Sequence, residues 1–207
     1  MWRFEGYYEL RGGPQTGKTT VALLLAMSKL WRGRTVFVTT QEEYSPSVTE
    51  AVTGEALPDW LVTVSRVSEF FELVSMVPWG QLVILDSLAT LRPDHPAARQ
   101  LAPSVERHWC RPPCPVLVVN QDRHPYPAGG WFWRLQLRGE FELVRYRDRP
   151  FLLSELRPGG MWLTWGSGQP ELRMLRDEEA EVWIGQCVGE RPGTVFGRRG
   201  VSGLAGR

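Results

Sequence analysis

The chain has 207 residues, 43% of them hydrophobic and 23% charged, which suits one domain with a sizeable core and excludes a disordered polymer. A formal net charge of +1 excludes a strongly basic whole-molecule field, so any nucleic-acid contact must come from a local patch. Three cysteines are too few for a disulfide framework, and no apolar run approaches the roughly 20 residues of a membrane span. Met1 to Leu10 carries Arg3, Glu5 and Glu9, unlike the basic-then-apolar start of a signal peptide, and a cytoplasmic protein is expected.

Tyr7 to Leu10 predicts a short strand and Gly12 to Thr16 a loop. Thr19 to Trp31 predicts a helix, with Val21, Leu24, Leu25 and Ser28 on adjacent turns and Gly33 as its stop. Thr35 to Thr40 is a β-branched strand. Strand, glycine loop, helix, strand is a βαβ unit, which implies a parallel sheet. Leu61 to Val64 is a further strand. Val67 to Val77 places Val67, Phe70, Phe71, Val74 and Val77 at helical spacing. Gln81 to Asp86 and Pro115 to Asn120 are apolar enough for strands buried on both faces. Between them Ala97 to Trp109 predicts a helix that Pro103 kinks or starts. From Gly129 to Trp165 helical periods give way to short strands broken by Gly and Pro, read as an antiparallel extension of the same sheet. The expected organisation is one core over residues 1–188. A flexible tail over 189–207 follows, with six glycines.

Gly12-Gly13-Pro14-Gln15-Thr16-Gly17-Lys18-Thr19 fits G-x-x-x-x-G-K-[ST] and lies between a strand and a helix, the context that motif requires. Glycines let successive N–H groups face phosphate oxygens. Lys18 reaches the β and γ phosphates, the Thr19 hydroxyl ligates magnesium, and the helix opened by Thr19 and Thr20 presents its positive end. ATP with Mg2+ is the expected ligand. Asp86, ending the most apolar strand, is the candidate second magnesium residue (Walker B); a helix N-cap is the other role open to it. Ser87 follows it, so no glutamate stands directly after the acid. Glu42 and Glu43, just past the second strand, are the candidates to polarise the attacking water, with a solvated acidic turn as the alternative.

Four features in order resemble the RecA/RadA/KaiC group of ATPases. They are the phosphate loop, the stretch Val36 to Glu43 ending in paired acids, the Asp86-Ser87 pair after Leu82 to Leu85, and the Asn120-Gln121 pair after Val116 to Val119. The likeness spans about Tyr7 to Trp165. It implies a RecA-like α/β P-loop NTPase fold: a mainly parallel central sheet flanked by helices, with a C-terminal antiparallel extension. It implies an ATPase stimulated by single-stranded DNA and active in recombination or repair. It gives Gln121 the part of a γ-phosphate sensor adjoining a DNA-binding loop. RecA and RadA proteins carry a subunit-joining extension before the phosphate loop, which here begins at residue 12. A full self-polymerising filament is therefore not expected; the chain resembles the minimal core of accessory RecA-like proteins, with a homo-oligomer or a RecA-like repair protein as the partners to be considered.

Asp122 to Arg134 is the corresponding candidate DNA surface. Arg123 and Arg134 can meet phosphates, and aromatics nearby can stack on bases. Trp131 and Trp133 serve equally well as strand residues packed in the core. By the same resemblance Arg145 and Arg147 are candidate trans-acting fingers toward a neighbouring subunit's ATP, or else a solvated basic edge strand. His108, Cys110 and Cys114 match no common zinc spacing, and Cys110 is placed at a helix end. Two other readings stand beside DNA repair: a KaiC-like regulatory ATPase acting on a protein partner, and a small-molecule P-loop kinase.

Overall fold

Runs of β-branched and aliphatic residues, each followed by an amphipathic stretch, give alternating strands and helices whose apolar faces must be buried against one another. The computed structural model describes residues 5–40, 44–56, 58–94, 100–121, 128–146, 149–154, 160–166 and 169–174, with the backbone alone beyond Leu143. The first half holds β1 (Gly6–Gly12), α1 (Lys18–Ala26), β2 (Thr35–Thr39), α2 (Pro46–Thr53), β3 (Leu61–Thr63) and α3 (Val67–Met76). Then come β4 (Leu82–Asp86), a single 3-10 turn at Leu88–Thr90, α4 (Ala102–His108), β5 (Pro115–Gln121) and α5 (Gly130–Gln136). Four strands close the described chain: β6 (Leu137–Tyr146), β7 (Arg149–Ser154), β8 (Gly160–Gly166) and β9 (Gln169–Met174).

The nine described strands form one sheet in the order β3-β2-β4-β5-β1-β6-β7-β8-β9. From β3 to β6 every pairing is parallel; from β6 onward it is antiparallel. Strand alternation sends Leu82, Ile84, Leu117, Val119 and Leu10 to one face, where α1 and α2 cover them. Val83, Leu85, Val116, Val118 and Tyr7 go to the other, under α3, α4 and α5. β4 is buried at all five positions, as a strand covered on both faces must be. At its far end the antiparallel extension brings β9 against α1 and α2.

Several expectations require correction. α1 stops at Ala26, and Gly33, with φ +74°, lies in the turns that follow rather than at the helix end. Ser28 and Thr35 tie those turns together: the Ser28 carbonyl accepts from Trp31 and Arg32, and Thr35 Oγ1 donates to Trp31 O. α2 was not anticipated, because Pro46–Thr53 is short and polar; Pro at its start and Gly54 at φ +80° bound it. Trp131, Phe132 and Trp133 begin a helix, α5, not a strand. β6, expected to open the antiparallel part, runs parallel to β1. Pro103 stands in the first turn of α4, so it starts that helix; α4 ends at His108, two residues before Cys110.

Candidate nucleotide-binding site

β1 delivers the chain to the phosphate loop at the C-terminal edge of the parallel sheet, where ligands of α/β folds bind. Gly12 is packed so tightly on β6 that an added Cβ would come 2.4 Å from Leu143 O. The loop turns through left-handed backbone at Gln15 (φ 56°) and Gly17 (φ 95°) and enters α1 at Lys18. No side chain caps the start of α1 and no acid stands in its first turn, so the positive end of the helix lies at the loop without a neighbouring carboxylate of its own. The Lys18 ammonium is buried and donates to the carbonyls of Gly12 at 3.0 Å and Gly13 at 2.7 Å. Thr16 Oγ1 donates to Gly13 O at 3.0 Å, fixing the loop from inside.

Asp86 ends β4 on the α1 face and is 3% exposed. Its Oδ2 accepts a hydrogen bond from Thr19 Oγ1 at 2.6 Å. The two residues thus meet across 67 positions of sequence, as a shared magnesium site requires. A hydroxyl beside a carboxylate is the hard oxygen pair that Mg2+ takes together with phosphate oxygens. The residues present therefore fit a polyphosphate with Mg2+. The N-cap alternative for Asp86 does not hold, since the turn at Leu88–Thr90 has Ser87 at its start and no side-chain cap.

Gln121 lies in register with Gly12, on the face shared with Leu117 and Val119, so alternation puts it on the phosphate-loop side. Asn120 points to the opposite face. Its Nδ2 donates to Glu9 Oε1 at 2.7 Å, and Trp133 Nε1 donates to the same oxygen at 3.0 Å. Burial pushes the Glu9 carboxyl above the usual carboxylate range, and these two donors pull it partly back. Sequence reasoning passed over this trio; the signal was an acid, Glu9, inside an otherwise apolar strand. Beside it Arg11 pairs with Glu140 at 2.8 Å and with Glu142 at 3.8 Å.

Arg134 lies on α5 rather than in a loop, and its Nε is 3.3 Å from Glu140 Oε1. Trp133 is fully buried against Tyr7, whereas Trp131 is 60% exposed. Glu42, Glu43 and Arg123 lie outside the described residues, as does Arg147; Arg145 is placed on β6 by its backbone. His108 is paired with Asp94 at 3.2 Å rather than with a cysteine. Cys110 Sγ lies 3.8 Å from the Tyr7 hydroxyl, and burial pushes the Cys114 thiol up to about 11. Among the described residues no three His, Cys, Asp or Glu side chains gather as a metal site. No described helix is long and apolar enough to cross a membrane.

No protein-family model matches the sequence, and no curated protein matches it. Among solved structures the chain is similar to a KaiC-like protein from the hyperthermophilic archaeon Pyrococcus horikoshii OT3. The two superpose with a TM-score of 0.53 at 13% identity, over 81% of this chain and 89% of that one. The fold is the RecA-like α/β type, with six parallel strands between flanking helices.

Proposed function

We propose that this protein binds and hydrolyses ATP as a RecA-like ATPase and acts on single-stranded DNA in recombination or repair. The observation that carries the ATPase reading is the convergence of Lys18, Thr19 and Asp86, which a chance glycine turn would not produce. In this reading Gly12 to Thr20 cradle the phosphates, and Thr19 and Asp86 would hold Mg2+, which when bound would supply positive charge against the phosphates. Lys18 exchanges its carbonyl partners for phosphate oxygens. Glu42 or Glu43 orients the attacking water, and Gln121, beside Gly12 in register, reads the γ-phosphate. Arg123 and Arg134 meet the DNA backbone; Arg145 and Arg147 reach a neighbouring subunit's nucleotide in a homo-oligomer.

A second reading, a KaiC-like regulator with a protein partner, draws support from the exposed apolar stripe of Trp131 and Leu135, which are 60% and 63% exposed on α5. The deciding experiment measures ATP hydrolysis with and without single-stranded DNA, and DNA binding with a non-hydrolysable ATP analogue at several salt concentrations. DNA-stimulated turnover and binding that weakens with salt are expected. Hydrolysis with no DNA binding at low salt would transfer the case to the protein-partner regulator. No ATP binding at all would sink both.

A further inference from the structure

Between the phosphate loop and α5 lies a buried polar node that the chemistry above does not use. Glu9 is 1% exposed, and Asn120 and Trp133 are fully buried. Asn120 uses both ends of its amide. Nδ2 donates to Glu9 Oε1 at 2.7 Å and to Ala128 O at 3.2 Å, while Oδ1 accepts the Gln121 N–H at 3.0 Å. Trp133 Nε1 donates to the same Glu9 oxygen at 3.0 Å. One carboxyl oxygen thereby joins the strand entering the phosphate loop, the strand beside it, and α5.

The register makes this junction sensitive to the loop. Arg11 is opposite Asn120, and Gly12, the loop's first residue, is opposite Gln121. A second contact runs from the Asp86 strand. Gly129 has φ +93°, and a Cβ there would come 2.8 Å from Trp133 Cβ and 3.2 Å from Leu88 Cδ2, two residues past Asp86. At Gly130, φ +72°, a Cβ would meet Ala102 Cβ at 2.9 Å. The turn into α5 is therefore pressed on the exit of β4 and on α4 with no slack. Interiors packed this closely shift between discrete arrangements rather than deform continuously.

We propose that Glu9, Asn120 and Trp133 are positioning residues that make α5 report the state of the phosphate loop. Nucleotide seated on Gly12 to Thr19 displaces the ends of β1 and β5, and the node carries that displacement to α5. The face that moves is the one bearing Trp131 and Leu135, one helical turn apart. The inference rests on the nucleotide-binding reading and concerns the regulation of that site. It requires that α5 be held differently in the two states, since a ligand shifts only what it binds differently.

The test is hydrogen exchange on the full chain, following peptides over residues 128–136. Samples are nucleotide-free, with ADP, and with Mg2+ and a non-hydrolysable ATP analogue, with analogue affinity measured separately by calorimetry. In the wild type the analogue changes α5 exchange by about fivefold or more. Trp133→Phe keeps an aromatic ring against Tyr7 but removes the Nε1–H donor together with part of the buried indole volume; Asn120→Ala removes the amide. Both retain analogue affinity and lose the α5 response. Glu9→Gln, which keeps an acceptor oxygen, retains the response; a node that only stabilised the core would leave the response intact in all three. Unchanged α5 exchange at saturating analogue in the wild type overturns the proposal, and so does a response that survives Trp133→Phe and Asn120→Ala. If Asn120→Ala fails to fold, Trp133→Phe decides alone. Absence of analogue binding by calorimetry is a separate result that removes the nucleotide reading itself.

Discussion

At the scale of single residues, Lys18 is the plainest test. Its ammonium now rests on two loop carbonyls, which phosphate oxygens would replace as partners. Lys18→Ala is expected to lower ATP turnover by about 100-fold or more, the order of a lost charge-stabilising donor. The melting temperature should change little, so wild-type turnover at saturating ATP would overturn the assignment. Gly12→Ala tests geometry instead of charge: its Cβ meets the backbone oxygen of Leu143, which cannot rotate away. We expect a loss of about 1–3 kcal/mol in denaturant unfolding, the usual cost of overpacking. Glu9 gives a pH signature. Burial raises its folded pKa above the ordinary 4.5 of an exposed glutamate, so the native state holds its proton longer than the unfolded state does. Its contribution to stability is thus greatest below 4.5 and falls as pH rises through the folded pKa. Glu9→Gln should remove that slope, seen in the difference between the two melting temperatures across pH; parallel curves would refute it. The phosphate loop and Asp86 were legible in the sequence because their chemistry demands fixed residue types at fixed spacing. The Glu9–Asn120–Trp133 node was not, because nothing local in Glu9 or Trp133 says that they meet across 124 positions.

At the scale of elements, α5 is where pattern reading failed most instructively. Seven residues give barely two turns, too few for a helical period to declare itself, and Trp131 and Trp133 also alternate as strand residues do. The helix separates them: Trp133 is sealed against Tyr7, and Trp131 faces outward. Trp133→Ala should therefore cost about 3–5 kcal/mol in chemical denaturation, while Trp131→Ala stays within about 0.5 kcal/mol. Equal losses would refute the division of the two rings between core and solvent. α1 was overextended for a different reason. Leu30 and Trp31 continue an apolar rhythm, yet the chain leaves the helix at Met27 and closes tight turns through Ser28 and Trp31 carbonyls. The apolar strands β4 and β5 were read nearly to the residue, since burial on both faces leaves little freedom of composition.

At the scale of the whole molecule, the alternation of strands and helices announced a parallel sheet, but strand order is a property of long-range pairing that no local pattern carries. The extension after β6 was foreseen as antiparallel; that β6 itself would lie parallel beside β1 was not. β1 sits in the middle of the sheet, between β5 and β6. It is also the first of the described strands, and it precedes both of its neighbours in sequence by more than a hundred residues, which has a consequence in time. As the protein is synthesised, Gly6–Gly12 emerges with neither neighbour in existence and waits for residues 115–121 and then 137–146. Loops that long close late, so β2, β3 and β4 are free to associate first, and the setting of the Gly12–Thr19 loop matures after them. A nascent chain halted before residue 115 should leave Tyr7 and Leu10 uncovered and open to protease, and one extended past residue 146 should protect them. The growing chain thus makes the Gly12–Thr19 loop about a hundred residues before either strand that flanks β1 exists to hold it.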